Sequence, residues 1–133
     1  MHDPDEVKLW IKRAEQDFKN AVEFLPRQGS FARKMVCFHC QQTAEKYLKA
    51  FLVLHETTFP KVHDLRRLLR LCVKFESALE SYRDSFELVR PYSVHFEELI
   101  DEAEARRAVE TVTNIRDVLR NFFPSELLQA FDK

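Results

Sequence analysis

Apolar residues recur every three or four positions along most of the chain, and nowhere do they alternate with the period of two that a half-buried strand needs. Val7, Ile11, Ala14, Phe18, Ala21 and Leu25 make one stripe of a long first helix. Asp3, Pro4, Asp5 and Glu6 open it with a capping carboxylate, a proline at the first helical position and acids in the first turn; Pro26 and Gly29 close it. Ser30 is placed to cap a second helix running to about Glu56, whose broad apolar face holds Val36, Cys40, Ala44, Tyr47, Ala50, Phe51 and Leu54. Phe38, Leu48, Leu52 and Val53 are apolar on its other sides. A helix apolar around most of its circumference belongs in the middle of a bundle or across a subunit interface.

Two threonines and a proline make residues 57 to 62 a loop, after which Asp64 caps a short helix carrying Leu65, Leu68, Leu69 and Cys72. A fourth helix presents Leu79, Tyr82, Phe86 and Val89 until Pro91 interrupts it, and residues 91 to 99 read as a connection. Asp101 and Glu104 form a capping box ahead of Ala105, Ala108, Val112, Ile115, Leu119 and Phe122. Beyond Pro124, Ser125 can cap a last amphipathic piece with Leu127, Leu128 and Phe131. The pattern predicts an all-α fold, an antiparallel up-and-down bundle of four to five helices, formed by residues 1–133 as a single domain with a core over 4–123 and a short C-terminal helix over 125–131.

Composition narrows this picture. In 133 residues Lys+Arg number 21 and Asp+Glu 22, a net charge of -1 that excludes a strongly basic nucleic-acid coat protein. With 45% hydrophobic and 32% charged residues the chain has a real core and a charged surface. Gly29 stands alone, so every glycine-rich phosphate cradle is excluded, and sheet folds with their glycine-bearing turns are disfavoured. Three cysteines and the absence of a charged-then-apolar leader point to a reduced, cytoplasmic setting, and no apolar run approaches the roughly twenty residues of a membrane span.

Several groups are candidates for chemistry. On the wheel of the second helix His39, Gln42, Lys46 and Lys49 share an arc of roughly 80° at about 100° per residue. Two ammonium groups with two hydrogen-bonding side chains suit an anion; a solvated edge is the plainer reading. Gln41 and Glu45 lie on another side, placed to satisfy each other or a symmetry mate. Cys37 and Cys40 have the spacing of half a zinc site, but the second half is missing and Cys72 is single, so small core residues are the better account, with no metal and no cofactor called for. His63 precedes Asp64, which helix capping already explains. Arg90 and His95 stand at the break before the last long helix. An arginine that holds phosphate and an imidazole that moves a proton are what metal-free RNA cleavage requires, with the ribose 2'-hydroxyl as nucleophile. Arg33 and His39 make a second pair at a similar spacing, so position rather than spacing favours Arg90 and His95. The alternative is that Arg90 pairs with Glu97 or Glu98 while His95 is an exposed loop residue.

The run from Phe38 through His39, Cys40, Gln41, Gln42, Thr43, Ala44, Glu45, Lys46, Tyr47, Leu48 and Lys49 to Ala50, followed by His63-Asp64-Leu65 and Arg90-Pro91-Tyr92, resembles the HEPN family of small prokaryotic helical proteins. Trp10, Ala14, Asp17 and Phe18 fit the same pattern, and the likeness extends to about Phe123. The resemblance implies a bundle that forms a homodimer through the faces bearing the polar stripe and the arginine. It also implies a minimal nucleotidyltransferase as partner in a toxin and antitoxin type of system, and nucleotide or RNA as ligand, with no membrane or DNA expected. In ribonuclease members an arginine and a histidine with four to six residues between them do the chemistry, which maps onto Arg90 and His95, with Tyr92 between them in sequence as a ligand-binding candidate. Glu97 stands where the extended motif has a tyrosine, and Pro91-Tyr92 inverts a tyrosine-proline pair found in members that lack the histidine. Three functions follow in order: a nucleotide- or RNA-binding interaction module, a metal-independent endoribonuclease, and a non-catalytic structural subunit.

Overall fold

The computed structural model describes residues 2–59, 61 and 63–129. Among these residues six α-helices follow one another: α1 (Pro4–Phe24), α2 (Ser30–Leu54), α3 (Leu65–Val73), α4 (Arg83–Val89), α5 (Glu102–Arg120) and α6 (Ser125–Leu128), with a 3-10 helix over Ser77–Tyr82 leading into α4. No strand occurs among the described residues, so the all-α bundle expected from the apolar spacing is the fold.

Local chemistry sets most helix starts. The Asp3, Asp64 and Asp101 side chains accept from the backbone N–H groups of Asp5, Arg66 and Glu104, as N-cap carboxylates do. Ser30 and Ser125 do not cap. Each is the first helical residue, behind Gly29 and Pro124, and neither helix has a side-chain cap. The capping box at Asp101 is half formed, because the Glu104 carboxylate accepts from the Tyr92 hydroxyl at 2.5 Å instead of turning back on its own helix. α2 stops at Leu54 rather than Glu56. Its end is closed by Glu56 N–H to the Val53 carbonyl and Thr57 N–H to the Leu52 carbonyl, with Glu56 at φ 54 where glycine is usual. The predicted fourth helix is split: Ser77–Tyr82 winds as a 3-10 helix, and only Arg83–Val89 is α-helical. Phe131, expected on the last helix, lies outside the described residues, as do Pro60 and Val62 of the loop after α2.

α2 is the axis of the molecule. Fourteen of its 25 residues are buried, on every side, which is the arrangement its apolar circumference demands. α1 runs antiparallel to it, since Phe24 meets His39, Asp17 meets Lys46 and Trp10 meets Lys49. α5 starts beside the beginning of α2, where the Arg33 Nε donates to the Ile100 carbonyl at 2.6 Å, and ends beside Phe51, whose ring meets Phe122 and Phe123. The core that results is continuous from Val7 and Ile11 through Tyr47, Leu48 and Phe51 to Val112, Ile115 and Leu119.

A second tie binds three helices at once. Arg116 of α5 donates from Nε and Nη2 to both oxygens of Glu15 at 2.6 Å, the Tyr47 hydroxyl donates to the same carboxylate at 2.5 Å, and Arg120 Nη1 approaches it at 3.5 Å. Burial pushes the Glu15 carboxyl up, but the Arg116 and Tyr47 hydrogen bonds and the two arginine charges outweigh it and hold the group below its ordinary 4.5.

Two outcomes follow. Leu48→Ala removes a fully buried side chain from the axis and is expected to cost about 2–5 kcal/mol in a urea unfolding titration; a cost under about 1 kcal/mol would contradict the central placement of α2. Because the folded Glu15 value lies below the unfolded one, its contribution is complete above the ordinary carboxylate range and disappears as pH falls through the folded value. The stability gap between the wild-type protein and Glu15→Gln, measured by unfolding across acidic pH, is therefore expected to be largest at neutral pH and to close on acidification.

Candidate functional site

The polar arc of α2 faces inward. His39 Nδ1 donates to one Asp17 oxygen at 2.7 Å and Lys46 Nζ to the other at 2.5 Å, with the Asp17 side chain only 10% exposed. A carboxylate can only accept here, so Asp17 fixes the proton on Nδ1 of His39. The ring is packed between Phe24 and Phe38. One turn on, Lys49 is buried against Glu45 at 3.2 Å, with its ammonium over the Trp10 and Phe59 rings at 5.4 and 5.6 Å. Glu45, also buried, accepts from His63 Nδ1 at 3.0 Å. Gln42 donates to Gln41 at 2.7 Å, and Gln41 donates to the His63 carbonyl at 3.4 Å.

These side chains are therefore brought together with partners from inside the chain. Lys46 and Lys49 each have a carboxylate, and the arc is covered by α1 rather than forming an open anion site or a solvated edge. Gln41 and Glu45 are satisfied through His63, not through each other. Asp64 caps α3, and His63 meets a carboxylate supplied by α2, that of Glu45.

Arg90, Tyr92 and His95 belong to a different region, the connection from the end of α4 to Asp101. Arg90 caps α4 and its Nε donates to Glu87 at 3.2 Å, not to Glu97 or Glu98. Glu87 also takes a two-pronged contact from Arg66 at 2.6 and 2.8 Å. The Arg66 hydrogen bonds, with a smaller share from Arg90, hold the Glu87 carboxyl below the usual range. The Arg90 side chain is 37% exposed, and its terminal nitrogens make no hydrogen bond among the described residues. His95 is exposed; its backbone N–H donates to Ser93 Oγ at 3.2 Å, and its imidazole makes no hydrogen bond among the described residues. Tyr92 is not free. It is 6% exposed, bonded to Glu104 and met edge-on by Phe96, so it anchors the connection to the first turn of α5. Burial, with Glu104 second, pushes its hydroxyl well above the usual phenol range.

Around this connection apolar side chains stand in solvent: Leu99 is 87% exposed, Phe31 70% and Val94 62%. Phe31, Lys34, Phe96, Glu97, Glu98 and Leu99 line a shared groove of about 250 Å³.

Cys37, Cys40 and Cys72 are buried free thiols in the core. Burial, with a smaller effect of Glu104, pushes Cys37 up to about 12, and burial raises the other two as well, so all three are inert at neutral pH. No group of three metal-ligating side chains occurs among the described residues. No described helix is long and apolar enough to cross a membrane.

In this helical bundle the axial helix buries Glu45 and Lys49, and an arginine and an exposed histidine stand at the break before the last long helix. The HEPN domain profile matches residues 7–122, and the chain belongs to that family, a nucleotide- and RNA-related group of helical modules. No curated protein and no solved structure matches the chain.

Glu15, Arg33 and Arg116 carry tertiary contacts that the apolar pattern did not mark. Asp17 left a signal: an acid between Ala14, Phe18 and Ala21 on the inner stripe of α1 needs a buried cation. Removing it should strand two donors. Asp17→Ala is expected to lower stability by at least about 2 kcal/mol in denaturant titrations; a change within about 0.5 kcal/mol would return Lys46 and His39 to the pool of free ligand-binding groups.

Proposed function

We propose that the protein is a homodimeric module that binds nucleotide or RNA through Arg90 and the surface beside it, and that pairs with a minimal nucleotidyltransferase in a toxin and antitoxin type of arrangement. The observation that supports this reading is that one connection carries the partly exposed Arg90, whose terminal nitrogens make no hydrogen bond among the described residues, and the exposed His95, with Val94 and Leu99 in solvent. Apolar side chains of that size are rarely left bare in such number at one end of a small protein. A second copy suits the groove, because Lys34 lies on its α2 side and Glu97 and Glu98 on its loop side. A two-fold axis would set the lysine of each copy against the acids of the other. His39, Gln42, Lys46, Lys49 and Tyr92 serve in this reading as the scaffold that holds the surface in place.

A second reading is favoured by the same exposed imidazole. In a metal-independent endoribonuclease Arg90 would hold the scissile phosphate, and His95 would take the 2'-hydroxyl proton as the oxygen attacks phosphorus and the 5'-oxygen leaves. Two such pairs would face one cleft in the dimer.

One experiment separates the readings. The protein is titrated into fluorescently labelled single-stranded RNA in chelator, and the RNA is then analysed for fragments. Binding that weakens about tenfold in Arg90→Ala, persists in His95→Ala and falls steeply with salt is expected for the module. Fragments ending in 2',3'-cyclic phosphate that vanish in His95→Ala would establish the ribonuclease. Unchanged binding by Arg90→Ala would contradict both.

A further inference from the structure

The turn between α1 and α2 and the first turn of α5 enclose a cleft of about 620 Å³. Val22 lines both this cleft and a shallow depression on α1 that holds Glu15, Phe18, Lys19 and Glu23, so the two are continuous. The cleft wall carries Arg27, Arg33 and Arg106 against a single carboxylate, Glu102. Each guanidinium is held by a contact that leaves most of its donors unused. Arg33 spends its Nε on the Ile100 carbonyl at 2.6 Å, and its terminal nitrogens make no hydrogen bond among the described residues. Arg106 spends Nη2 on Glu102 at 2.9 Å, a pair in which the Glu102 side chain is 78% exposed. Arg27 lies over the Phe24 ring at 4.5 Å and makes no hydrogen bond among the described residues. Three planar forks around one acid leave a net positive charge and a surplus of N–H donors, the complement of two or more carboxylates taken in two-pronged contacts.

The depression beyond the cleft has a different character. Phe18, Val22 and Leu25 recur at intervals of four and three along α1, an apolar stripe whose middle member is 46% exposed. Its charges nearly cancel: the Glu15 carboxylate is spent on Arg116 and Tyr47, and Lys19 stands one turn from Glu23. A chain of phosphates needs cations along its whole path, and here it would leave the arginines behind and meet acids. A compact anion would fill the cleft and leave the stripe uncovered. A ligand that is acidic at one end and apolar along its length uses both parts. A helix with apolar side chains at three-four spacing is the form of polypeptide that lies along a stripe of the same period.

We propose that the cleft and the α1 stripe together dock an acidic amphipathic helix of a partner protein, its Asp or Glu side chains between Arg27, Arg33 and Arg106 and its apolar face over Val22 and Phe18. None of these residues belongs to the Arg90 surface, and the proposal does not depend on the ligand held there. The test is selection from a displayed library of random peptides of about sixteen residues, long enough for four helical turns, against the full chain, followed by fluorescence titration of the enriched peptides. Those peptides are expected to carry at least two acidic residues next to apolar residues at three-four spacing. Their affinity is expected to fall at least tenfold in Arg27→Glu, Arg106→Glu and Val22→Asp, all changes at exposed positions, with unchanged circular dichroism. A peptide with lysines in place of its acids is expected to prefer Arg27→Glu over the wild-type protein, and single-stranded RNA to bind the two proteins alike. A library that yields no acidic amphipathic peptide, or peptides whose binding is undiminished by Arg27→Glu or by Val22→Asp, would overturn the proposal. A tenfold loss of RNA binding in Arg27→Glu would overturn it as well, by giving the cleft to a phosphate polymer.

Discussion

Everything in this molecule is arranged around a 25-residue helix that has no exposed residue between Met35 and Leu54. Burying α2 on all faces supplies the core, but it also takes Lys49, Glu45, Gln41 and Thr43 out of water and leaves His39 and Lys46 only a narrow margin of exposure. A buried charge is tolerated only with a matched partner and satisfied hydrogen bonds. The rest of the chain meets that requirement: α1 brings Asp17, the loop before α3 brings His63, and Glu45 is itself on α2, one turn before Lys49. The same rule fixes α1 against α5, where Glu15 joins Arg116, Arg120 and Tyr47.

This division of labour sorts the polar side chains. Charges committed to the interior hold helices in register, and those left outside it stand on the surface near the breaks between helices. Arg90 and His95 are of the second kind. Tyr92 is the hinge between the two classes: its hydroxyl is spent on Glu104, and by being spent it ties the connection carrying His95 to the start of α5.

The helices were legible in the sequence where their signals are local. Asp3, Asp64 and Asp101 cap as their spacing implies, and the apolar circumference of α2 correctly placed it at the centre. Ser30 and Ser125 misled because a serine before an apolar run is also a good first helical residue, and the backbone of Gly29 or Pro124 had already taken the cap position. The split of the fourth helix was invisible because a three-residue period fits 3-10 and α-helix alike over one turn. The polar arc was real, but a helical wheel cannot tell inward from outward. Asp17 lies 22 residues from His39 and 29 from Lys46, so nothing near the arc in sequence announced its partner. The Arg33 contact to Ile100 spans 67 residues and was equally silent. At the Arg90 and His95 connection the sequence supplied the residue types, and the structure added the exposed apolar rim that gives them a setting.

In the proposed homodimer this rim joins two copies and so brings two Arg90 and His95 sets to one cleft. Sedimentation equilibrium of the wild-type protein beside Leu99→Asp is the decisive measurement, because Leu99 is almost wholly in solvent and contributes little to the fold of one copy. A wild-type dimer at micromolar concentration and a Leu99→Asp monomer with an unchanged melting temperature are expected. A monomeric wild-type protein, or a Leu99→Asp dimer as tight as the wild type, would overturn the dimer.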